Sequence, residues 1–296
     1  ADQGKVEEHA SGDTGVDITS DNAQINAHAS IGGEQDLETE LNTLEAHAGT
    51  TGDIDINEVD AITLTDVDTN DGSITLDAGG SITALNVESK TDHDDNDIRL
   101  HNTSGDILVD RIDAGKAQGD VFLDADQGKV EEHASGDTGV DIRAADLNVT
   151  ANHDIGALSD PIETSARRID SKSGNGDNAL NNYATGAVTV TNFSSIVGSL
   201  FFEQFGAEIT LNSVDAGLGN IALFHNGSEN MIIDDLVAGD GNVQLTVRDA
   251  GRLQIYNTDV NGDALMQADE LDYLGAWKSI SGTGTLSVQT LSLIHI

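Results

Sequence analysis

Short segments of alternating apolar and polar residues return along this chain at nearly constant intervals. They follow Gly or Asp in most cases, as in GDIDIN, GSITLD, GDILVD, GNIALF and GNVQLTV. Alternation with a period of two indicates a strand with one buried face, and Gly or Asp before it indicates a turn. The chain is therefore predicted to consist of many short strands.

The intervals between these segments indicate how the strands are arranged. The leading residues of successive strand pairs lie 20, 24, 23 and 19 residues apart, at Ile54, Ile74, Ile98, Val121 and Val140. Two or three short strands with their turns form one coil of a parallel β-solenoid, and coils stacked about 4.8 Å apart align their apolar positions into one core. We predict an all-β parallel β-solenoid with coils of about 19–24 residues.

The solenoid makes a specific prediction about the core. Seven apolar side chains should point inward, namely Ile54, Ile62, Ile74, Ile82, Ile98, Ile107 and Val121. The alternative all-β fold is a string of sandwich domains, which would carry proline-marked linkers and buried aromatic residues. The chain has a single proline and only 3% aromatic residues, so the solenoid is favoured.

Two stretches depart from the strand pattern. Leu37, Leu41 and Leu44 are spaced as in one or two helical turns, so a short helix is expected there. Residues 154–182 carry weaker alternation, and we interpret them as a longer excursion of strand and loop. Regular coils resume after this excursion.

An 18-residue sequence, ADQGKVEEHASGDTGVDI, occurs twice without change. It fills Ala1–Ile18 and returns as Ala125–Ile142, 124 residues later. A recent local duplication explains the identity, and so does an assembly fault in a repetitive gene; both explanations stay open.

Weaker matches at a similar offset continue beyond the identical sequence, which indicates a superrepeat. We interpret residues 1–290 as a single β-solenoid segment. It divides into superrepeats at residues 1–124 and 125–248 and a partial copy at residues 249–290. The final LSLIHI, residues 291–296, is similar to a translated adapter read-through and is predicted to be a sequencing artefact.

The charge of the chain restricts its partners. With 53 acidic and 13 basic residues, the net charge is −40, which argues against nucleic acid and anionic membrane surfaces. Such a charge suits surroundings rich in salt or divalent cations, which screen self-repulsion. Cysteine is absent, so cysteine usage does not indicate a compartment.

Several runs also carry a family resemblance. GSITLDAGGSITALNV, GNVQLTV and DIGALSDPIETSARRIDSKSG resemble very large bacterial surface proteins of the filamentous haemagglutinin-like adhesin type, and ADELDYLGAWKSISGTGTLSV is similar to segments of the same proteins. The resemblance covers nearly the whole chain and rests on repeat style. It implies a right-handed β-helix, secreted to the bacterial cell surface, that acts as a stalk or adhesive surface. We therefore interpret the chain as a fragment of such a protein.

The resemblance also implies partners. These are host or cell-surface glycans or proteins, or biofilm matrix. No cofactor is expected. Ca²⁺ is the one ion for which the acidic clusters offer ligands.

The sharper of two acidic clusters has the spacing of a calcium loop. Asp259, Asn261, Asp263 and Glu270 fall at positions 1, 3, 5 and 12 of an EF-hand-type loop, where oxygen atoms surround Ca²⁺. The sixth position requires Gly for a sharp turn, but Ala264 occupies it. An acidic turn of the solenoid is the favoured interpretation.

The second cluster is TDHDDND. Asp92, Asp94, Asp95 and Asp97 lie beside His93 and could hold a hard cation, but a solvated loop between coils explains them equally well. No metal-binding residue is therefore predicted from either cluster.

The sequence contains no catalytic motif of a known type. GxSxG, HExxH, P-loop and dinucleotide-binding patterns are absent, so no catalytic or cofactor-binding residue is predicted. His47, His101 and His225 are among the histidines that have no evident partner in the sequence. We predict a structural or adhesive segment without catalysis. The alternatives are a carbohydrate-active β-helix enzyme, as a polysaccharide hydrolase or lyase, and a Ca²⁺-dependent binding module.

Overall fold

The computed structural model describes residues 4–8, 15–33, 36–134, 136, 139–275 and 280–291. These residues form strands, turns and bends, and none of them lies in a helix, so no helix among them could cross a membrane. The predicted artefact lies outside the described residues except for Leu291, as do parts of both copies of the duplicated sequence. The chain divides into two compact units, residues 1–151 and 152–296.

The described residues of the first unit form strands β1 to β13. These are Ile18–Ala27, Leu37–Ala48, Ile54–Glu58, Ile62–Thr69, Ile74–Ala78, Ile82–Ala84, Val87–Ser89, Ile98–Asn102, Ile107–Val109, Ile112–Asp113, Val121–Ala125, Val130–Glu132 and Ile142–Ala151. The strands pair in parallel with strands of the preceding and following coils. The predicted all-β parallel solenoid is confirmed.

The register of the first unit matches the predicted spacing over most of its length. Ile54 pairs with Ile74, Ile74 with Ile98, and Ile98 with Val121. All seven residues that were predicted to point inward are at most 3% exposed: Ile54, Ile62, Ile74, Ile82, Ile98, Ile107 and Val121. The apolar core therefore lies where the alternation placed it.

The last coil of this unit differs from the prediction. Val121 pairs with Leu147, not with Val140, because β13 is a ten-residue strand that covers two sides of the coil. Ile142 near its start pairs with Ile112, and Leu147 continues the column of Val121. The strand that was expected to begin at Val140 was wrongly placed.

Strands β14 to β27 form the described part of the second unit. These are Ile162–Ser173, Asn178–Asn182, Val188–Ser195, Leu200–Phe205, Ile209–Leu211, Val214–Asp215, Ile221–Asn226, Met231–Ala238, Val243–Arg248, Arg252–Val260, Ala264–Gln267, Glu270–Tyr273, Ile280–Ser281 and Leu286–Gln289. One side of the stack pairs Leu200, Ile221, Val243, Ala264 and Leu286 in order, so successive coils are 21 or 22 residues long.

The expected helix around Leu37, Leu41 and Leu44 is wrong, because these residues belong to strand β2. The first part of β2 pairs with β3 and the second part with β4, so the strand turns a corner of the coil. Alternation restarts one residue out of phase after the corner. Two period-two segments joined in this way produce a spacing of four and three residues, which imitates a helix.

A buried side chain from the next coil stabilises this corner. The carboxylate of Glu58 accepts hydrogen bonds from the Thr39 hydroxyl at 2.7 Å and from the Leu41 amide at 3.1 Å. In the second unit, the long excursion contains strands β14 and β15, and Asn182 binds Thr164 and the Ala166 amide in the same way, at 3.0 and 2.9 Å.

The glycines that precede the strands allow close stacking of the coils. Gly198, Gly219, Gly241 and Gly262 occupy equivalent positions in the second unit, and a Cβ atom on each would lie 1.7–2.3 Å from the carbonyl oxygen of a glycine one coil earlier. Their φ angles are not in the left-handed region, so the backbone conformation does not require glycine here. Glycine is required because neighbouring coils lie too close together for a Cβ atom at these positions.

This stacking predicts the effect of alanine at a column glycine. Gly241→Ala places a methyl group 1.7 Å from the Gly219 carbonyl oxygen, so the coils must separate, at a cost of about 1–3 kcal/mol in free energy of unfolding. Gly186→Ala is the control, because only the Arg167 side chain lies within 4 Å, at 3.9 Å. The control should be neutral or stabilising by up to about 1 kcal/mol. Urea unfolding followed by circular dichroism measures both; equal midpoints would contradict the steric explanation.

Candidate functional site

Polar side chains connect successive coils of the first unit in a ladder. Each member directly follows the position that glycine occupies in most coils. Its side-chain oxygen accepts a hydrogen bond from the backbone amide of the next member. The ladder runs through Asp53, Ser73, Asp97, Asp120 and Asp146, with N–O distances of 2.9, 3.3, 3.0 and 3.0 Å. These side chains hold the turns of neighbouring coils in register.

The second unit contains the same arrangement with more members. Its ladder runs through Asp154, Asp177, Ser199, Asn220, Asn242, Asp263 and Thr285, with N–O distances between 2.7 and 3.2 Å. Any short oxygen-bearing side chain satisfies the amide, which explains why Asp, Asn and Ser exchange as acceptors at this position. Local sequence shows these residues as turn formers, and only the stacked coils show them as acceptors.

The predicted cluster around Asp92 has two separate structural roles. The Asp92 carboxylate accepts hydrogen bonds from three consecutive amides of the next coil, those of Lys116, Ala117 and Gln118, at 2.8–3.2 Å. Asp97 belongs to the ladder, whereas Asp94 and Asp95 are exposed. The cluster therefore anchors a turn of the neighbouring coil through Asp92.

The EF-hand-like spacing around Asp259 is distributed over three elements. Asp259 lies in β23 and accepts a hydrogen bond from the Ser281 hydroxyl at 3.0 Å. Asp263 accepts the Thr285 amide at 2.9 Å, and Glu270 begins β25, where it forms an ion pair with Arg252 at 2.7 Å. A helix–loop–helix is not formed in this part of the described chain, and each acidic group binds the adjacent coil.

Two histidines of the first unit have carboxylate partners that the sequence analysis missed. His47 Nδ1 lies 2.6 Å from Asp68 and its Nε2 3.2 Å from Glu45. His101 Nδ1 lies 2.6 Å from Asp77 and its Nε2 3.4 Å from Asp126. The Asp68 and Asp77 partners are one coil away, so the coil length was the signal that could have identified them.

These contacts change the protonation of both imidazoles. Burial alone would lower the pKa of His47, but hydrogen bonds to Asp68 and Glu45 outweigh it and raise the pKa above its usual 6.5. The pKa of His101 is raised in the same way by Asp77 and Asp126, against the effect of burial. Because both ring nitrogens face carboxylates, each imidazolium can join neighbouring carboxylates through two charge-assisted hydrogen bonds.

The same histidines also belong to the groups whose geometry suits a cation. His47 with Asp66 and Asp68, and His101 with Asp124 and Asp126, each bring three ligand atoms within 4.8 Å of one another. In the first group, Lys90 already neutralises Asp68 at 2.5 Å. None of the residues from the two predicted acidic clusters is a member of either group.

A different kind of surface lies on the outer face of the second unit. Phe201 and Phe224 point outward from neighbouring strands, and their ring centroids are 5.6 Å apart at an interplanar angle of 42°. Beside them is an open depression of about 660 Å³, lined among others by Ala222, Gln244 and Leu265. Its lining combines amide and hydroxyl groups with aliphatic side chains, and the aromatic pair lies next to it on the sheet, because Phe201 pairs with the lining residue Ala222.

Comparison with known proteins adds no further identification. No protein-family model matches the chain, and neither the curated proteins nor the solved structures contain a match to it.

The contacts of Asp92 predict a large difference between neighbouring acidic residues. Asp92→Ala removes the acceptor of three turn amides and should lower the free energy of unfolding by about 1–2 kcal/mol. Asp94→Ala is the matched control and should stay within about 0.5 kcal/mol, because Asp94 is exposed like Asp92 but accepts none of these three amide hydrogen bonds. Chemical unfolding at fixed ionic strength, with Ca²⁺ or with chelator, measures both. Calcium stabilisation that disappears in Asp94→Ala would show that this loop is a cation site.

The pKa of Asp55 predicts that acidification stabilises the first unit. Burial, reinforced by Asp36, Asp77 and Asp53, raises the pKa of Asp55 to about 6 from 3.8. A raised carboxyl pKa means that the folded state holds the proton more tightly, so this stabilisation is complete below pH 3.8 and is lost as the pH rises through 6. The raised pKa values of His47 and His101 act in the same direction at higher pH.

Melting temperature should therefore increase from pH 7.5 to pH 5.5. Asp55→Asn should raise stability at pH 7.5, on the order of 1 kcal/mol after allowance for solvent screening of a partly exposed group, and should reduce the pH dependence. Asp240→Asn, at an exposed position, controls for the loss of one charge. An equal increase in melting temperature from pH 7.5 to pH 5.5 in the wild type, Asp55→Asn and Asp240→Asn would contradict the assignment.

Proposed function

We propose that the chain is a structural and adhesive segment of a large secreted bacterial surface protein of the filamentous haemagglutinin-like type, without catalysis. One observation carries this proposal. In both units, the acidic and amide side chains on adjacent coils bind the backbone of the next coil, as in the ladders from Asp53 and from Asp154. Oxygen atoms used in this way stabilise a stack and are poorly placed for proton transfer to a substrate.

The charge supports a location outside the cell. A chain with a net charge of −40 needs screening by salt or divalent cations, which external media supply. A stack of similar coils also presents the same outward positions repeatedly, and this repetition suits a surface that binds large partners. Host or cell-surface glycans or proteins, or biofilm matrix, are the proposed partners.

Polysaccharide cleavage is the competing function, and Asp55 is where it should be tested. Its carboxyl has a pKa of about 6 and lies near the carboxylates of Asp53 and Asp77. A general acid requires a raised pKa of this kind. Burial and repulsion between stacked carboxylates account for it without a catalytic role.

We expect no turnover of pectin, alginate or neutral polysaccharides, and we expect adhesion. The full chain should release no new reducing ends and no unsaturated products, while beads coated with it should remain bound to epithelial cells or to biofilm matrix under flow. Beads coated with an acidic protein that lacks a solenoid are the control. Cleavage that is lost in Asp55→Asn and retained in Asp240→Asn would overturn the structural function, and equal release of both kinds of beads would overturn adhesion.

A further inference from the structure

We infer that the outer face of β17, β20, β22, β24 and β27 binds a strand of neutral polysaccharide that lies along the stacking direction of the second unit. Phe201 and Phe224 provide the stacking surface, and the adjoining depression receives the sugar rings. This inference rests on the proposed adhesive function and adds to it a site and a ligand class.

The depression follows one column of outward-facing residues. Phe201 pairs with Ala222, Ala222 with Gln244, Gln244 with Leu265, and Leu265 with Ser287. Ala222 is small and stands between two larger side chains, so it leaves a recess next to Phe201. The recess continues across the following coils, has a volume of about 660 Å³ and is open to solvent.

Aromatic residues make up only 3% of the chain, and Phe201 and Phe224 bring two of them into contact on an outward face. Phe201 and Phe224 are partly exposed, and the Arg248 guanidinium lies 5.5 Å from the centroid of Phe224. This packing restrains the ring of Phe224. Restrained, partly exposed rings beside Ala222, a residue that lines the recess, offer flat apolar surface to a ligand, and the C–H face of a sugar ring is a flat partner of matching size.

The remaining lining suits hydroxyl groups. The ladder uses only the Oδ1 atoms of Asn220 and Asn242 as acceptors, and their Nδ2 groups are donors that the ladder does not engage. Gln244 and Ser287 add further groups that both donate and accept hydrogen bonds. A sugar hydroxyl also donates and accepts, so this lining can satisfy it in several orientations.

The charge of the lining selects a neutral ligand. Asp263 is the only charged residue among the described lining residues, and its Oδ1 already accepts a hydrogen bond from the Thr285 amide. Beside the aromatic pair, Arg248 is ion-paired with Glu203 at 3.4 Å, so these two charges offset each other. A polyanion would be repelled by the chain, whose net charge is −40. A polycation would find few carboxylates inside the recess. A neutral polysaccharide meets neither obstacle.

The repeat of the solenoid also favours a polymer over a single sugar. Equivalent residues return once per coil, at the roughly 4.8 Å spacing of neighbouring strands, so Asn220 and Asn242 present the same amide on successive coils. A polysaccharide likewise presents the same hydroxyl groups once per ring. Each added ring that meets a further coil therefore adds a similar set of contacts.

The test uses the full chain in isothermal titration calorimetry. Cello-oligosaccharides and dextran oligosaccharides are the neutral probes, oligogalacturonate is the anionic probe and chitosan oligosaccharides are the cationic probe. We expect a neutral probe to bind with an affinity that increases with its length, and we expect no binding of oligogalacturonate. Any binding of chitosan oligosaccharides should be abolished by salt and should not depend on the aromatic pair.

Two substitutions introduce residue types that neighbouring coils already carry at the paired positions. Phe201→Ala repeats the alanine found at Ala179 and Ala222 on both neighbouring coils, and Phe224→Thr repeats Thr246 of the next coil. Each should weaken the neutral probe roughly tenfold while the melting temperature stays close to that of the wild type. Phe122→Ala is the matched control, because Phe122 is a partly exposed outward residue of the first unit and should leave binding unchanged.

Three results would overturn the inference and separate it from the proposed function. Neutral probes that bind equally to wild type, Phe201→Ala and Phe224→Thr place the glycan site elsewhere and leave adhesion intact. Absence of binding to any neutral probe, with bead adhesion retained, shows that the adhesive partner is not a neutral glycan. Concentration-dependent dimers in light scattering that Phe201→Ala abolishes show that the face binds a second copy of the chain.

Discussion

The hydrogen bond from a backbone amide to a side-chain oxygen of the previous coil is the contact on which both stacks depend. It recurs from Asp53 to Asp146 and from Asp154 to Thr285 at the turn that begins one strand of each coil. The residue before it is usually glycine, because a Cβ atom there would collide with the coil below. Close approach and side-chain capping thus act at neighbouring positions, and together they fix the register of successive turns.

This arrangement explains how so acidic a chain can form a stack. Carboxylates of the ladder accept hydrogen bonds from backbone amides, which partly offsets the repulsion between the carboxylates. Burial still raises the pKa of Asp97 and Asp120, with the Asp120 and Asp146 amides opposing that effect. His47 and His101 add positive charge between carboxylates when they are protonated. Stability should therefore respond to pH and salt more than the apolar core alone would suggest.

The outer faces of the units are free to differ because the core and the ladders do not use them. In the second unit, this freedom places Phe201 and Phe224 beside a recess with amide-rich walls. In the first unit, outward positions carry histidine and carboxylate groups in contact. A repeated inner structure with variable outward residues is the physical basis of the adhesive function that we propose and of the glycan site inferred from it.

The sequence specifies the all-β class, the parallel stacking and most of the core, because alternation and coil length are local and repeated; Ile54, Ile74 and Ile98 were placed correctly for this reason. It also identified the acidic residues but not what they bind, since the partners of Asp92 and His47 lie on another coil. The positions at which strands turn corners, as in β2, and the contacts between outward side chains become evident only in the folded coils. A corner shifts the phase of the apolar–polar alternation. Contacts between coils depend on the strand register, which a short segment of sequence does not specify.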